Sequence, residues 1–333
     1  MVNRLLLPDV QSNIPSVHIG LTRVGVTDVK KMVEVARRNK RPIILIPTFD
    51  IFVDLPSNRK GANLSRNLEA IDRTLEDAIS RPVYRIEDLC VDVSNRLLDS
   101  HEYATNAEVR MQGEYMMKKK SPITGMECQE VYDIYADAIV TRSSTTRKTI
   151  GAKVTAMTAC PCAQEISRES AFNKLKALGV NDAVIDEFLM DMPMPTHNQR
   201  GIGTIMIESD GNVKISIEKI IQVIENSMSS QMYELLKRED EKFVVNTAHK
   251  NPKFVEDCVR AMAKNLVMTF PKLPDDAIIT IEQVNEESIH RHNAFAERKA
   301  TFEDLKKEVG VNNVASAGKA TAVARGRRAI SKS

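Results

Sequence analysis

Apolar residues at Leu64, Leu68, Ile71, Leu75 and Ile79 recur every three or four positions, the spacing that lines one face of an α-helix. Ile86, Leu89, Val93 and Leu97 predict a second helix directly after it. Pro42–Val53 before this pair, and Ala107–Met117 and Val131–Arg142 after it, are alternating or β-branched and predict strands. The pattern then returns. Ile150–Thr158 and Gly203–Glu208 read as strands, and Ser209-Asp210-Gly211-Asn212 reads as a hairpin turn into a further strand at Val213–Ile217. Two long helices are predicted next, over Glu218–Lys237 and Pro252–Phe270, the second with Pro252 near its first turn. A strand at Ala277–Val284 closes the series.

Each half therefore reads as strands, two helices, strands. That is an α+β plan in which a pair of helices covers one face of an antiparallel sheet. Glu169–Met190 interrupts the second half as a helical insert, with two short segments around Gly179. The boundary between halves falls near Arg147–Ile150, giving a first unit over 1–147, a second over 148–308 and a tail over 309–333.

Charge changes this picture little in bulk. Among 333 residues, 47 Lys and Arg stand against 45 Asp and Glu, a net of +2. A protein coating nucleic acid or a membrane surface is not expected from that balance. The tail holds five of the positive charges (Lys319, Arg325, Arg327, Arg328, Lys332) and no acidic residue, which leaves the body at −3. Lacking apolar area to offset its ordering entropy, the tail is expected to be flexible, as a solvated terminus or as a contact for nucleic acid or a phosphorylated ligand. Five cysteines in a long chain argue against a secreted disulfide framework. The longest apolar run, Pro42–Pro47, is far short of the roughly 20 residues of a membrane helix, and Pro8 cuts off Leu5–Leu7. The expectation is a soluble cytoplasmic protein.

Three segments carry candidate chemistry. Cys160-Pro161-Cys162 follows a predicted strand without the second Cys pair of a structural zinc site, so inert thiols and a metal ligand are both open. Pro195-Thr196-His197-Asn198-Gln199-Arg200-Gly201 puts a histidine, amides and a guanidinium into what reads as a Pro/Gly-bounded loop, suited to ligand binding or proton transfer. Asn285-Glu286-Glu287-Ser288-Ile289-His290-Arg291-His292 brings carboxylates and two imidazoles to a strand end. Cys90 and Cys258 sit within amphipathic helices and read as core, and Cys128 as similarly structural. Glu241 lies in a charge run just past the predicted long helix, and Glu256 in the first turn of the next, where the helix dipole favours a carboxylate. Two basic stretches, Ser57–Arg66 and Thr141–Lys148, interleave hydroxyls with Arg and Lys as phosphate sites do, although neither has Walker spacing.

The Cys-Pro-Cys after a strand, His-Asn-Gln-Arg-Gly, the Asn-Pro-Lys-Phe-Val-Glu-Asp helix start and Glu-Ser-Ile-His-Arg-His-Asn-Ala-Phe-Ala-Glu occur in the order seen in one family. From about Leu7 to Glu308 the chain resembles the metal-dependent GTP cyclohydrolases of the IB/IV type, and within them the archaeal type IV of methanopterin biosynthesis. His197 follows Cys160 by 37 residues, a connection much longer than in bacterial IB enzymes. The resemblance implies a tunnelling fold (T-fold), with two tandem units per chain, and a homo-oligomer, a dimer or dimer of dimers, with active sites at subunit interfaces. It implies Cys160, His197 and Glu241 as metal ligands, with Glu239 and Asp240 as neighbouring alternatives to Glu241. Glu256 would anchor the guanine edge. Glu287 and His290 would form the acid/base pair, with His292 as an alternative ligand or proton donor; Cys162, beside Cys160 in the same motif, is a further candidate.

One thiolate, one imidazole and one carboxylate suit Fe(II) or Zn(II). The resemblance favours Fe(II), one per subunit, with Zn(II) or Mn(II) as substitutes. GTP is the implied substrate, and Arg59, Lys60, Arg66, Arg142, Arg147 and Lys148 form the pool of cations for its triphosphate on charge grounds alone. The implied products are formate, diphosphate and 7,8-dihydroneopterin 2′,3′-cyclic phosphate. Two rival readings stand beside this one: a type IB enzyme giving 7,8-dihydroneopterin triphosphate, and a non-catalytic T-fold protein binding a purine or pterin.

Overall fold

The computed structural model describes residues 9–37, 40–80, 83–143, 145–210 and 213–310. The basic tail beyond Gly310 lies outside them, as do Ser144 and the Gly211-Asn212 half of the expected hairpin turn. The chain is mixed α/β, built on a large antiparallel sheet with helices. Its strands are β1 (Leu21–Lys30), β2 (Val33–Arg37), β3 (Lys40–Leu45), β4 (Thr48–Leu55), β5 (Asn106–Lys120), β6 (Glu127–Thr141), β7 (Thr146–Ala159), β8 (Asn198–Asp210), β9 (Ile278–Glu286) and β10 (Ala294–Thr301). The helices are α1 (Ser65–Ser80), α2 (Ile86–Ser100), α3 (Pro161–Ala177), α4 (Asp182–Asp191), α5 (Ile217–Glu225), α6 (Arg238–Lys250), α7 (Val255–Thr269) and α8 (Phe302–Val309).

Two compact units emerge, neither a single stretch of chain. One takes the described residues of Met1–Met116, Val131–Gly151 and Glu208–Asn212, and the other those of Met117–Glu130, Ala152–Ile207 and Val213–Ser333. In the first unit β4 lies between β1 and β5, antiparallel to both, and β2 and β3 form a separate hairpin. Strict alternation along β4 sends Phe49, Ile51, Val53 and Leu55 into the core, each nearly inaccessible to solvent. Helices α1 and α2 pack on each other, and buried Asn67 of α1 donates to the Ile51 carbonyl oxygen (3.1 Å). The helix pair read from Leu64–Leu97 is thus present, and the extended run from Pro42 divides at Ile46-Pro47 into β3 and β4.

In the second unit β9 pairs antiparallel with β10, and α7 packs against β9, β10, α5 and α8. Ile279, Ile281, Gln283 and Asn285 point inward from β9, and Cys258, Met262 and Leu266 from α7. The insert is helical on both sides of Gly179, whose φ of +80° takes the left-handed conformation that lets the chain reverse between α3 and α4.

Several expectations are corrected here. The helix expected over Glu218–Lys237 ends at Glu225. Residues 229–230 instead bridge to β7, where the Ser230 amide donates to the Met157 carbonyl (3.1 Å) and the Met157 amide donates to the Ser230 carbonyl (2.9 Å). The apolar period continues to Met228, so the pattern by itself could not show this tertiary override. Glu241 consequently lies inside the first turn of a separate helix, α6, rather than past a helix. No strand forms over 213–216, because Ser216 serves as the N-cap of α5 and accepts from the Lys219 amide (3.3 Å). Pro252 precedes α7 by three residues instead of entering its first turn; a capping box through Asp257 sets the start. Strands β1, β2 and β10 and helix α8 carry no pattern that the sequence reading used.

Candidate active site

The chain ends of β7, β8 and β9 bring three of the sequence motifs together within the second unit. Cys160 follows β7 and is the N-cap residue of α3, with Pro161 at the first helical position, where its fixed φ suits a helix start. Its thiol makes no capping hydrogen bond, which leaves the sulfur available at the positive end of the helix dipole. Its backbone amide donates to the His197 carbonyl (3.1 Å), and the Thr196 hydroxyl donates to the Cys160 carbonyl (2.7 Å). Two residues 37 apart in sequence are thereby locked side by side.

The motif containing His197 is not a loop throughout. From Asn198 it is β8, and alternation along that strand turns Gln199, Gly201 and Gly203 inward. Gln199, about nine-tenths buried, lies 3.1 Å from His197 Nδ1 through Oε1 and 3.4 Å from Glu287 Oε1 through Nε2. Glu287 Oε2 lies 3.9 Å from His197 Nδ1, and the Ser288 hydroxyl 3.3 Å from the same nitrogen. Behind this group, Gln283 Nε2 donates to Asn285 Oδ1 (2.9 Å), both side chains fully enclosed. Gly201 is required there, because a Cβ would stand 2.6 Å from Gln283 Nε2 and 2.7 Å from Thr158 Cγ2.

The Asn251-Pro252-Lys253 segment is anchored beside the same strand end. Asn251 Nδ2 donates to the Met228 and Ser229 carbonyls (3.1 and 3.2 Å), Lys253 Nζ donates to the Ser227 carbonyl (2.9 Å), and the Lys253 amide donates to the Ala159 carbonyl (2.9 Å). Burial holds the Lys253 ammonium below the usual lysine range. Glu256 is exposed in the first turn of α7 that this anchor positions. His290 and His292 are exposed in the β9–β10 connection, their rings stacked with centroids 5.1 Å apart. Cys162 is exposed on α3, whereas Cys90 and Cys258 are core thiols, Cys258 pushed up to about 12 by burial.

The acidic run at the start of α6 separates cleanly. Asp240 is buried and accepts from the Ile123 and Thr124 amides (2.8 and 2.9 Å), the Thr124 hydroxyl (2.6 Å) and the Lys237 amide (3.0 Å). Burial acts to raise its pKa, but these donors outweigh it and hold the carboxyl well below the usual range. Its oxygens are spent on structure. Glu239 and Glu241 are exposed, and among the described residues no hydrogen bond or ion pair joins Glu241 to Cys160 or His197. Among the described residues no three His, Cys, Asp or Glu side chains are gathered at metal-binding spacing.

The basic pool belongs to the first unit. Arg142 donates to the Ala104, Leu98 and His101 carbonyls (2.6, 2.6 and 3.1 Å), closing the end of α2. Arg147 pairs with Glu208, and buried Lys148 with Asp88 (2.9 Å). Arg66 donates to the Ser100 carbonyl (2.7 Å), and the Arg59 guanidinium stacks 4.1 Å over the Tyr103 ring. Lys60 is exposed. Gln199, Asn251, Lys253 and Gln164, which ties α3 to the Met194 and His249 carbonyls (3.1 and 2.5 Å), were not singled out individually by the sequence reading. For Gln199, Asn251 and Lys253 the signal was present only as amides and a lysine inside motifs whose charged members drew attention; Gln164 lies outside every motif.

Residues 7–296 match the family described as type I GTP cyclohydrolase folE2. The chain is 80% identical over 303 residues to GTP cyclohydrolase MptA 1 of Methanocella arvoryzae, covering 91% of this chain and 96% of that protein. It is 60% identical over 309 residues to GTP cyclohydrolase MptA of Methanosarcina acetivorans, covering 91% and 97%. Among solved structures, uricase from Arthrobacter globiformis superposes with a TM-score of 0.51 at 8% identity, over 86% of this chain and 96% of that one. That last likeness concerns the fold alone.

Proposed function

The chain belongs to the type I GTP cyclohydrolase family and is an enzyme acting on GTP; on that premise we propose that it is a metal-dependent cyclohydrolase of the IB/IV type, working in methanopterin biosynthesis. Its products on this reading are formate, diphosphate and 7,8-dihydroneopterin 2′,3′-cyclic phosphate. The observation that carries the site assignment is the meeting of His197, Gln199 and Glu287 beside Cys160, from three motifs far apart in sequence. The repeated strand and helix pattern supports tandem T-fold units, and the family supports a homo-oligomer, a dimer or dimer of dimers, in the cytoplasm. Among the described residues no helix is long and apolar enough to cross a membrane.

Cys160 and His197 carry donors of the kind a divalent ion takes. Cys160 offers a sulfur free of capping duty, and His197, engaged at Nδ1, keeps Nε2 available. Fe(II) is the metal proposed, with Zn(II) or Mn(II) as substitutes, and Glu241 is the proposed third ligand, since Asp240 is committed to its four donors. When bound, such an ion supplies the Lewis acidity that brings the pKa of water to about 7.

The chain's own residues do the rest. Glu256 accepts hydrogen bonds from the guanine N1–H and exocyclic amine. Glu287 orients the water that attacks C8, and His290 gives a proton to the ring nitrogen as its bond to C8 breaks. His292, stacked on His290, is the alternative ligand or proton donor. Of the basic pool, Lys60 is the proposed triphosphate contact on charge grounds, because Arg59, Arg66, Arg142, Arg147 and Lys148 already have partners within the first unit. Mass analysis of the pterin formed from GTP under anaerobic conditions with Fe(II) tests the subtype. A cyclic phosphate is the expected product, and an intact triphosphate would assign the chain to type IB instead.

A further inference from the structure

We infer that Gln199 is the positioning residue of this site, fixing the tautomer of His197 and tying it to Glu287; the inference rests on the reading of His197 and Glu287 given above. The chemistry of the amide decides its orientation. A carboxylate only accepts, so the group facing Glu287 Oε1 at 3.4 Å is the amide nitrogen. The amide oxygen is therefore the group 3.1 Å from His197 Nδ1, and an oxygen there requires a proton on that nitrogen. The neutral ring then carries its lone pair on Nε2, the nitrogen left free of these contacts to serve as a ligand.

Burial gives this bridge its hold. Gln199 points inward from β8, about nine-tenths buried, so its amide has little water to exchange with. Its neighbour on the same face is Gly201, which leaves room for Gln283 and Asn285 to close the space from β9. The Ser288 hydroxyl, 3.3 Å from the same ring nitrogen, can accept a second share of the Nδ1 proton. Gln199 thus acts through His197 and Glu287.

The test uses the full-length protein with ¹⁵N-labelled histidine, stripped of metal, the His197 signals being assigned among the six histidines by their loss in His197→Ala. In the wild type, the neutral His197 ring is expected to be protonated at Nδ1. In Gln199→Leu the proton should redistribute to Nε2, Fe(II) affinity measured against a competing chelator should fall about 10- to 100-fold, and kcat should drop with KM for GTP little changed. Gln199→Glu keeps an acceptor for the Nδ1 proton while repelling Glu287. It should retain the tautomer yet lose kcat, and it serves if the leucine variant does not fold. An unchanged tautomer and unchanged Fe(II) affinity in folded Gln199→Leu, or an Nε2-protonated ring in the wild type, would overturn the inference. Failure of the wild type to release formate would instead strike the cyclohydrolase reading and leave the tautomer result standing.

Discussion

Replacing Gly201 by alanine probes the packing on which the site is built. The added methyl would stand 2.6 Å from Gln283 Nε2, 2.7 Å from Thr158 Cγ2 and 3.1 Å from Asn285 Oδ1. Gln283 is the end of a flexible chain, but it is wholly buried and already bonded to Asn285, so it has no open space to enter. Thr158 is β-branched, fully buried and stiff about χ1, so β7 and β8 must separate or the threonine must leave its rotamer. Overpacking of this kind costs about 1–3 kcal/mol. Alanine recovers about 0.4–1 kcal/mol of that by restricting the unfolded chain. Taken at mid-range, about 2 less about 0.7, the net is a loss of about 1.3 kcal/mol, or roughly 3–5 °C in Tm at about 2–4 °C per kcal/mol. Thermal unfolding followed by circular dichroism reads the loss. Because Asn285 lies two residues before Glu287, which follows the end of β9, kcat should fall as well. The added Thr158→Ser change removes the crowding Cγ2 and should restore part of the stability, a coupling that a double-mutant cycle detects. Unchanged Tm in Gly201→Ala, or strict additivity in the double variant, would refute the packing argument.

Cys160→Ala and His197→Ala should each lose bound metal and turnover together, measured by metal analysis and formate release; full metal occupancy in either removes it from the ligand set. Arg142→Ala removes a donor from three carbonyls around the end of α2, of which that of His101 keeps the Ala104 amide, and should cost about 1–3 kcal/mol with KM for GTP unchanged, whereas a large rise in KM would return it to the triphosphate site. His101 is fully buried, and burial, aided by Arg66 and Arg59, brings its pKa down to about 4. Its folded value lies below the unfolded one, so as pH falls from about 6.5 to 4 the unfolded chain takes up a proton that the folded chain refuses. Stability is lost over that window, up to about 3 kcal/mol. Asp137, pushed up to about 6 chiefly by burial, works in the opposite sense, gaining stability as pH falls through that value. The histidine contribution is therefore read as the difference between wild type and His101→Gln in denaturant unfolding at several pH values, and parallel curves would contradict it.

Much of this molecule was legible in its pattern of residues, and the failures have physical causes. The helices α1 and α2 announced themselves because their apolar faces keep period through Leu97. The end of α5 was hidden because Met228 continues its apolar period while the backbone leaves the helix to bridge β7. Polar α6, with only Asp240, Val244 and Ala248 buried, offered no stripe to find. The motifs marked Cys160, His197 and Glu287, since thiols, imidazoles and carboxylates at strand ends stand out chemically. Gln199, Asn251 and Lys253 did not stand out, because what they do depends on partners 20 to 90 residues away. Charge misled in one respect: Arg142 and Lys148 look like phosphate ligands in sequence, yet a carbonyl cluster and Asp88 already occupy them.

The most direct test of the enzyme's chemistry is formate release from GTP by anaerobic protein with Fe(II) confirmed bound. One formate per GTP consumed is expected, together with a fluorescent pterin after oxidation. GTP left intact with no formate, at full metal occupancy, would contradict the assignment.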